Sequence, residues 1–181
     1  MATLRKAGAY SKRYARPYTR VSKQRTKNFI KAAPPHKISK YNMGNRQFYD
    51  QGKFDTTIRL VSEIKVQIRD NALEAARQTI SRELDIAIQN QYYFEVKVHP
   101  HHIIRENKML TGAGADRMQT GMTKSFGKTI GRAAMVDPNQ TIYLIATSGD
   151  KQIKAVRVVL NKIRAKLPCK TKIVVEKSVA K

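Results

Sequence analysis

Positive charge is distributed unevenly along this chain of 181 residues, and the asymmetry limits where a folded body can form. Residues 1–49 contain 13 Lys or Arg and no Asp or Glu, whereas residues 50–181 contain 23 basic and 13 acidic side chains. The first segment also has few aliphatic residues and no sustained periodicity, so it cannot bury enough apolar surface to fold by itself. We therefore expect residues 1–54 to form an extended basic arm that becomes ordered on a partner, and residues 55–181 to form the body.

The formal net charge of +23 points to a polyanionic partner. Lys and Arg that neutralise phosphates release counterions, and without such a partner the charges of a compact body would repel one another. An anionic membrane is the alternative partner. It predicts an amphipathic helix with a strong apolar face, which the basic segment lacks.

The remaining composition indicates a soluble protein of the cytoplasm. No apolar run is long enough to span a bilayer, and no signal-peptide pattern follows Met1. The single cysteine, Cys169, excludes an internal disulfide and fits a reducing compartment.

Aromatic residues are interleaved with the basic residues of the arm and of the chain just after it. They are Tyr10, Tyr14, Tyr18, Phe29, Tyr41, Phe48 and Tyr49. This pattern suits RNA, because unpaired bases stack on rings while cationic groups contact phosphates. The alternative is that the rings only anchor the arm to its own body, since burial of an aromatic side chain is favourable at any docking site.

The first half of the body is predicted to contain a strand, a helix and two further strands. Apolar residues at even positions from Ile58 to Ile68 indicate one half-buried strand. Asp70 or Asn71 is expected to cap a helix that runs to about Ile88, and Asn71 has capping-box spacing to Glu74. Strands are predicted near residues 94–98 and 103–104.

The second half of the body is predicted to contain a hairpin, a helix and a last strand. The hairpin joins residues 133–136 to residues 141–147 through a turn at residues 137–139. Asp150 is expected to cap the second helix, which ends at Leu167-Pro168, and residues 171–176 form the last strand. The predicted fold class is α+β, with two helices covering one face of a mainly antiparallel or mixed sheet.

Residues 107–131 form the most unusual segment, because they contain five of the nine glycines together with basic residues, three methionines and Phe126. Glycine lets the backbone approach a ligand closely, and a basic glycine-rich loop suits phosphate. Loops of this length are uncommon in compact domains and are usually functional or disordered. An inert loop is the alternative, but a purely solvating segment has no need for Phe126 and the methionines.

Motifs of enzymes and metal sites are incomplete or absent. Residues 112–117 are superficially similar to a dinucleotide-binding fingerprint but lack its third glycine and a surrounding strand–turn–helix. There is no Walker motif and no nucleophile motif. His99, His101 and His102 have neither the spacing nor the cysteine companions of a zinc site, so we interpret them as RNA-facing or as hydrogen-bonded at a strand end. No cofactor, metal or catalytic residue is predicted.

Several segments together resemble one known protein family. The longest are Pro100-His101-His102-Ile103-Ile104-Arg105-Glu106-Asn107-Lys108-Met109, Gly114-Ala115-Asp116-Arg117-Met118-Gln119-Thr120-Gly121-Met122 and Phe126-Gly127-Lys128. They are similar to the universal large-subunit ribosomal protein family sixteen. Residues 16–20, 35–40, 43–45 and 71–77 resemble its archaeal and eukaryotic branch, called ten-e. The likeness extends from about residue 16 to 132, and the last helix and strand fit the family's ending.

The resemblance implies an α+β fold of the hammerhead type and a structural role without catalysis. It also implies binding to large-subunit rRNA near the 5S rRNA and the tRNA sites, among other large-subunit ribosomal proteins and without homo-oligomers. Residues 112–128 correspond to a loop that in the family projects toward the tRNA acceptor end and the peptidyl-transferase region. The family often has Gly-Met-Arg where this chain has Gly121-Met122-Thr123, followed by Lys124. Because Lys offers a point charge and not a planar fork, a bidentate or stacking role of that Arg is not carried over.

Two sets of site residues are predicted. Those expected to bind rRNA are Arg13, Arg16, Tyr18, Arg20, Arg25, Lys37, Lys40, Arg46, His101, His102, Arg105 and Lys108. Those expected near tRNA are Gly112, Gly114, Arg117, Gly121, Met122, Lys124, Phe126 and Lys128. An RNA-modifying enzyme is an alternative that would need a cofactor site and a nucleophile or base in a cleft. A DNA-compacting protein is another, but it would not need a long apolar-patterned body or a glycine-rich loop.

Overall fold

The structure, a computed structural model, describes residues 33–106 and 128–177 together with Gly8, Tyr10 and Ser11. Its strands and helices, in chain order, are β1 (Asn42–Gly44), α1 (Arg46–Asp50), β2 (Thr56–Ser62), β3 (Val66–Arg69), α2 (Asp70–Ala87), β4 (Tyr92–Val96), β5 (His102–Glu106), β6 (Lys128–Val136), β7 (Thr141–Thr147), α3 (Asp150–Ile163) and β8 (Thr171–Lys177). A short 3-10 turn over Arg164–Lys166 follows α3. The predicted α+β class is confirmed, and both long helices lie where the apolar periodicity predicted them.

The strands form two antiparallel sheets. The larger sheet has five strands in the order β1-β4-β7-β2-β8, and the smaller has three in the order β3-β6-β5. Every pair of neighbouring strands in both sheets is antiparallel. The larger sheet is covered on one face by α2 and α3.

One hydrophobic core joins both sheets to the two long helices. Its fully buried side chains include Ile58, Leu60, Phe94 and Ile145 from the larger sheet, Ile68 from the smaller sheet, Leu73, Ile80 and Leu84 from α2, and Leu160 from α3. A second, smaller cluster is formed by Phe54, Tyr93, Leu144 and Ala146, with the Tyr49 ring of α1 stacked on Tyr93 at a centroid distance of 4.3 Å. Tyr93, Leu144 and Ala146 alternate along their strands with residues of the main core, so this cluster lies on the opposite face of the larger sheet.

The prediction of a single strand from Ile58 to Ile68 was wrong. The chain leaves the larger sheet after Ser62 and enters the smaller sheet at Val66, and Ile64 between them is 47 % exposed. A register irregularity at Leu60/Val61 comes just before the crossing, and the Ser62 hydroxyl donates a hydrogen bond of 2.7 Å to the Ile64 carbonyl. The even-numbered pattern resumes in phase after the crossing, so periodicity alone cannot detect it.

The predicted hairpin between residues 133–136 and 141–147 was also wrong. β6 is the central strand of the smaller sheet, whereas β7 pairs with β4 and β2 in the larger sheet. The turn is present, because the Gln140 amide donates to the Asp137 carbonyl at 3.2 Å, but it connects two sheets. Ser62 exchanges backbone hydrogen bonds with Asn139 and Gln140, so the two crossings between sheets lie side by side.

The side-chain caps predicted for the helices do not form. The N-cap residue of α2 is Arg69, that of α3 is Gly149, and neither helix has a side-chain cap. Asp70 lies inside α2 and is almost fully buried, and its carboxylate accepts hydrogen bonds from the backbone amides of Lys37 and Asn71 at 3.1 and 2.8 Å. Glu74 binds Arg77 and not the start of the helix. Asp70 therefore holds the segment before β1 and also bonds one backbone amide in the first turn of α2.

Part of the segment assigned to the arm contacts the body. Ile38 is 3 % exposed within the main core, and β1 adds an edge strand to the larger sheet beside β4. The boundary at residue 55 stays a prediction, as does the course of the arm over residues 1–32. No helix within residues 33–106 and 128–177 is both long enough and apolar enough to cross a bilayer.

Candidate nucleic-acid interface

The smaller sheet determines where the glycine-rich segment leaves and rejoins the body. β5 ends at Glu106, β6 begins at Lys128, and these two residues are paired in the antiparallel register. Residues 107–127 therefore begin and end at neighbouring backbone positions. The predicted site residues Lys108, Gly112, Gly114, Arg117, Gly121, Met122, Lys124 and Phe126 lie outside the described residues, as do Arg13, Arg16, Tyr18, Arg20 and Arg25 of the arm.

Four rings form a continuous row beyond the end of β4, and we call His36, Tyr41, His99 and His101 the ring row. Its centroid distances are 6.1 Å from His36 to Tyr41, 4.5 Å from Tyr41 to His99 and 5.8 Å from His99 to His101. The His36–Tyr41 pair is edge-to-face, whereas the His99 and His101 rings are inclined by 20°. The three imidazoles are exposed and Tyr41 is half-buried.

The backbone fixes both halves of the ring row. The Val96 amide donates a hydrogen bond of 2.9 Å to the Tyr41 carbonyl, which continues the pairing of β1 with β4. The His101 amide donates to the His99 carbonyl at 3.0 Å, and this tight turn surrounds Pro100, which is buried. Residues about 60 positions apart in the sequence are thus held side by side by strand pairing.

A cationic cleft of about 270 Å³ lies between the segment before β1 and the smaller sheet. Lys37, Arg69 and Arg132 line it, with Asp70 and the backbone of Gly131. The Arg132 Nε donates a hydrogen bond of 2.6 Å to the Pro34 carbonyl, so this side chain fixes one wall of the cleft. Three cations around one carboxylate leave a net positive charge.

Arg132 also connects the cationic cleft to the ring row. Burial raises the pKa of the Tyr41 hydroxyl, the cation of Arg132 acts in the opposite direction, and the carboxylate of Asp70 adds to the increase. His36 of the ring row and Lys37 of the cleft are consecutive residues, so the row begins at the wall of the cleft. The two features therefore form one surface, with rings on one side and cations on the other.

His102 points into the protein, unlike its neighbour His101. Its ring is 6 % exposed, and its Nδ1 lies 2.5 Å from the Oε1 of Gln67 in β3. Of the two interpretations of this histidine, the structure favours hydrogen bonding at a strand end over contact with RNA. The Gln67 amide group also donates to the Tyr10 carbonyl at 3.2 Å, and the Gln67 backbone amide donates to the Ser11 carbonyl at 3.1 Å.

The other predicted rRNA-binding residues that the structure describes are spread over the surface. Lys37 and Lys40 are exposed next to the ring row, and Lys37 also lines the cationic cleft. Arg105 is half-buried in β5. Lys128, which was predicted to lie near tRNA, begins β6. Arg46 lies apart from them at the other end of β1, where it forms an exposed ion pair of 3.5 Å with Asp50.

The predicted site residues leave out five residues of this surface. Tyr41 and His99 were indicated by the aromatic and histidine patterns but not included, whereas His36, Arg69 and Arg132 were not proposed as contacts. Arg132 stands next to the glycine-rich segment, and its position there is a signal that could have found it. Arg69 occupies an odd position of the predicted strand, which indicated a solvent-facing side chain, whereas the structure buries it to 9 % exposure.

The match to known proteins covers this whole surface. The family model for ribosomal protein L16p/L10e matches residues 16–174. The chain belongs to the ribosomal protein L16p/L10e family. The resemblance noted in the central block is therefore confirmed, and the match includes every residue of the ring row and the cationic cleft.

Relatives of this L16p/L10e protein are similar over nearly their full length. The large ribosomal subunit protein uL16 of Thermofilum pendens is 40 % identical over 163 residues, which are 90 % of each chain. The uL16 protein of Pyrobaculum calidifontis is 40 % identical over 95 % of this chain and 93 % of its own. The uL16 protein of Archaeoglobus fulgidus is 38 % identical over 96 % of this chain and 94 % of its own.

Proposed function

We propose that this L16p/L10e protein is a structural component of the large ribosomal subunit that binds large-subunit rRNA near the 5S rRNA and the tRNA sites. The names of its relatives support membership of the large subunit. The observation that carries RNA binding is the joined surface formed by the rings beyond β4 and the cations beside the smaller sheet. A protein of this family works within ribosomes, in the cytoplasm, and we expect other large-subunit proteins to be its neighbours.

The proposed binding mechanism combines charge neutralisation with stacking. Lys37, Lys40 and Arg132 are positioned at one surface, where cations can contact successive phosphates. In the arm, Arg13, Arg16, Arg20 and Arg25 would add contacts between rRNA helices, and Tyr18 would stack on an unpaired base. The basic arm over residues 1–54 and the hammerhead arrangement of the body belong to the same proposal.

The proposed role of residues 112–128 is contact near bound tRNA. Because β5 and β6 are paired where this segment begins and ends, the body can present it from one fixed point. The four glycines and several cations of residues 112–128 suit close approach to phosphate. We propose that it extends toward the tRNA acceptor end and the peptidyl-transferase region.

Salt dependence of rRNA binding tests the first part of the proposal. We expect the logarithm of affinity to fall linearly with the logarithm of salt concentration, with a slope of about −0.7 for each single-strand phosphate neutralised. The double variant Lys37→Ala, Lys40→Ala should lower the slope by roughly 1.4 if each ammonium group contacts one such phosphate. Lys151→Ala, which removes an exposed cation of α3 away from this surface, is the matched control. An affinity for rRNA that does not change with salt would contradict the proposal.

Replacement of the glycine-rich segment tests the second part. A variant with a short Gly-Ser linker in place of residues 112–126 keeps the paired ends of β5 and β6. It should fold with unchanged thermal stability, assemble into large subunits and impair tRNA binding by them. Loss of the folded body in this variant would show that the segment is structural.

Competition between nucleic acids tests the two rival functions. A DNA-compacting protein would release bound rRNA when an equal length of duplex DNA is added as competitor. We expect this protein to keep folded rRNA bound. An RNA-modifying enzyme would alter the mass of bound rRNA in the presence of a cofactor, and we expect no change.

A further inference from the structure

We infer that the ring row is a stacking platform for unpaired bases of single-stranded RNA. The inference rests on the proposed function and names the part of the RNA that this surface recognises. Its occupant is the planar face of a nucleobase, whereas the adjoining cationic cleft takes phosphate.

The exposure of these rings is the first observation. Most large aromatic side chains of the described body are buried, among them Tyr92, Phe94 and Tyr143. The imidazoles of His36, His99 and His101 are instead exposed, although they lie against each other or against Tyr41. His36 and His99 contact Tyr41, and His101 contacts His99. Exposed rings add little to the stability of the core, so core packing does not explain why these rings lie together.

The second observation is that the row is held in place before any ligand binds. Tyr41 packs against the main core, and Ile38, three residues earlier in the chain, is buried in it. Hydrogen bonds fix the backbone at Tyr41 and at His101. A ligand that stacks on this row pays little entropy for ordering side chains, and such preorganisation favours affinity.

The third observation is the charge beside the rings. Lys37 and Lys40 are exposed, and neither ammonium group has an ion pair with Asp or Glu among the described residues. Arg132 lines the adjoining cationic cleft together with Lys37. Rings flanked by unneutralised cations fit a nucleotide, whose base stacks while its phosphate meets a cation. An apolar protein partner would not need these charges.

A metal ion is the main competing occupant of a site with three histidines. Among residues 33–106 and 128–177, no group of three His, Cys, Asp or Glu side chains is placed to hold a metal ion. The His99 and His101 rings are nearly parallel, with centroids 5.8 Å apart, which is an offset-stacked geometry.

An abasic oligonucleotide separates stacking from charge. The full-length protein is titrated with a single-stranded rRNA segment and with the same segment in which two or three sugars lack their bases, so the number of phosphates is unchanged. Stacking predicts that the intact segment binds roughly five- to a hundredfold more tightly for each stacked base. The triple variant His36→Ala, His99→Ala, His101→Ala should lower this ratio by at least about fivefold and leave the salt slope unchanged. An unchanged ratio would assign the stacking to other rings, such as Tyr18 of the arm, and overturn the inference.

Two further variants control the experiment. Phe48→Ala removes an exposed ring that packs near Phe54 and Lys53, outside the ring row, and should keep the wild-type ratio. His101→Phe keeps a ring at an exposed position and should restore stacking that His101→Ala loses. Because each single variant changes one exposed side chain, the pair remains informative if the triple variant does not fold.

The outcomes distinguish this inference from the proposed function. Normal, salt-dependent rRNA binding with an intact-to-abasic ratio of one in the wild type overturns the stacking platform and leaves the proposed function standing. A ratio of intact to abasic affinity that falls to one when a metal chelator is added also overturns the stacking platform. That result would assign the histidines to a metal site. Absence of any binding to rRNA overturns the proposed function itself.

Discussion

The two sheets bury different kinds of polar side chain. In the five-stranded sheet the buried polar side chains are the hydroxyls of Thr56, Ser62, Thr147 and Thr171, near the ends of strands. The three-stranded sheet buries an amide, a guanidinium and an imidazole within two short strands, as Gln67, Arg69 and His102. Asp70 follows immediately, at 3 % exposure.

This difference indicates a division of roles between the sheets. Burial of ionic and amide groups costs several kcal/mol unless they are well bonded, so a sheet that served stability alone would hold apolar residues there. The larger sheet supplies most of the apolar core together with α2 and α3. The smaller sheet positions polar groups beside the cationic cleft and frames the ends of residues 107–127. Four substitutions test this division, in order of expected effect.

Removal of a core side chain from the larger sheet should have the largest effect. Leu60 of β2 is fully buried, so Leu60→Ala should lower the free energy of unfolding by about 2–5 kcal/mol. Equilibrium denaturation measures this loss, and Ile64→Ala, at a 47 % exposed position, is the control with a change below about 0.5 kcal/mol. A loss under about 1 kcal/mol for Leu60→Ala would contradict the role given to the larger sheet.

A polar substitution in the smaller sheet should affect stability less and rRNA binding more. Gln67→Met keeps the length of the side chain but removes its bonds to His102 and to the Tyr10 carbonyl, which should cost about 1–3 kcal/mol. We also expect weaker rRNA binding, because β3 leads directly to Arg69 in the cationic cleft. Gln89→Met, at an exposed position after α2, is the matched control. Unchanged rRNA affinity in a destabilised Gln67→Met protein would show that the smaller sheet is only structural.

The ionic contact of Glu74 predicts a pH dependence of stability. Hydrogen bonds from Arg77 hold the pKa of Glu74 below its ordinary value of 4.5. A lowered pKa in the folded state means that the contribution is present above pH 4.5 and is lost as the pH falls through the lowered value. Glu74→Gln should cost about 1 kcal/mol at neutral pH, because glutamine still accepts one bond from Arg77.

Denaturation at a series of pH values measures the contribution of Glu74. The unfolding free energies of wild type and Glu74→Gln should converge in acid, after the carboxyl group is protonated. A gap between the two proteins that stays constant from neutral pH to pH 3 would contradict this assignment. The Ser39 hydroxyl also donates a hydrogen bond to the Glu74 carboxylate, which connects the segment before β1 to α2. The Glu74 contact therefore belongs to the packing around the larger sheet.

The ion pair between the two long helices should have the smallest effect. Lys162 of α3 donates to Glu83 of α2 at 2.9 Å, but the lysine side chain is 58 % exposed. Lys162→Ala should therefore cost roughly 0.2–1 kcal/mol, and added salt should reduce the difference. A double-mutant cycle with Glu83→Ala isolates the pair. A coupling energy above about 2 kcal/mol would show that charge and not apolar burial holds the helices together.

Periodicity predicted the helices and most strands, but it did not predict which strands are partners. Leu73, Ile80 and Leu84 on α2, and Val156, Leu160 and Ile163 on α3, face the core as their spacing indicated. The alternation of apolar and polar residues in β2 and β3 predicted which residues share a face. It contained no information that the two strands belong to different sheets. Gln67 and Arg69 are buried although they alternate with apolar residues, because the Tyr10–Ser11 turn lies against that side of β3.

The candidate site could be predicted only where its residues are close in sequence. The excess of basic residues in the arm led to the prediction that Lys37 and Lys40 bind rRNA. The cluster of histidines led to the same prediction for His101. The ring row depends on the pairing of β1 with β4, which joins His36 and Tyr41 to His99 and His101 across about 60 residues. No local pattern contains that information. The assignments within residues 1–32 and 107–127, Tyr10 and Ser11 apart, stay predictions.

The most direct test of the central claim uses a lysate of cells that produce the tagged full-length protein. The lysate is sedimented through a sucrose gradient. The account predicts that the protein migrates with large ribosomal subunits and stays with them after a wash in moderate salt. A protein that remains at the top of the gradient, or that leaves large subunits completely in the first mild wash, would contradict it.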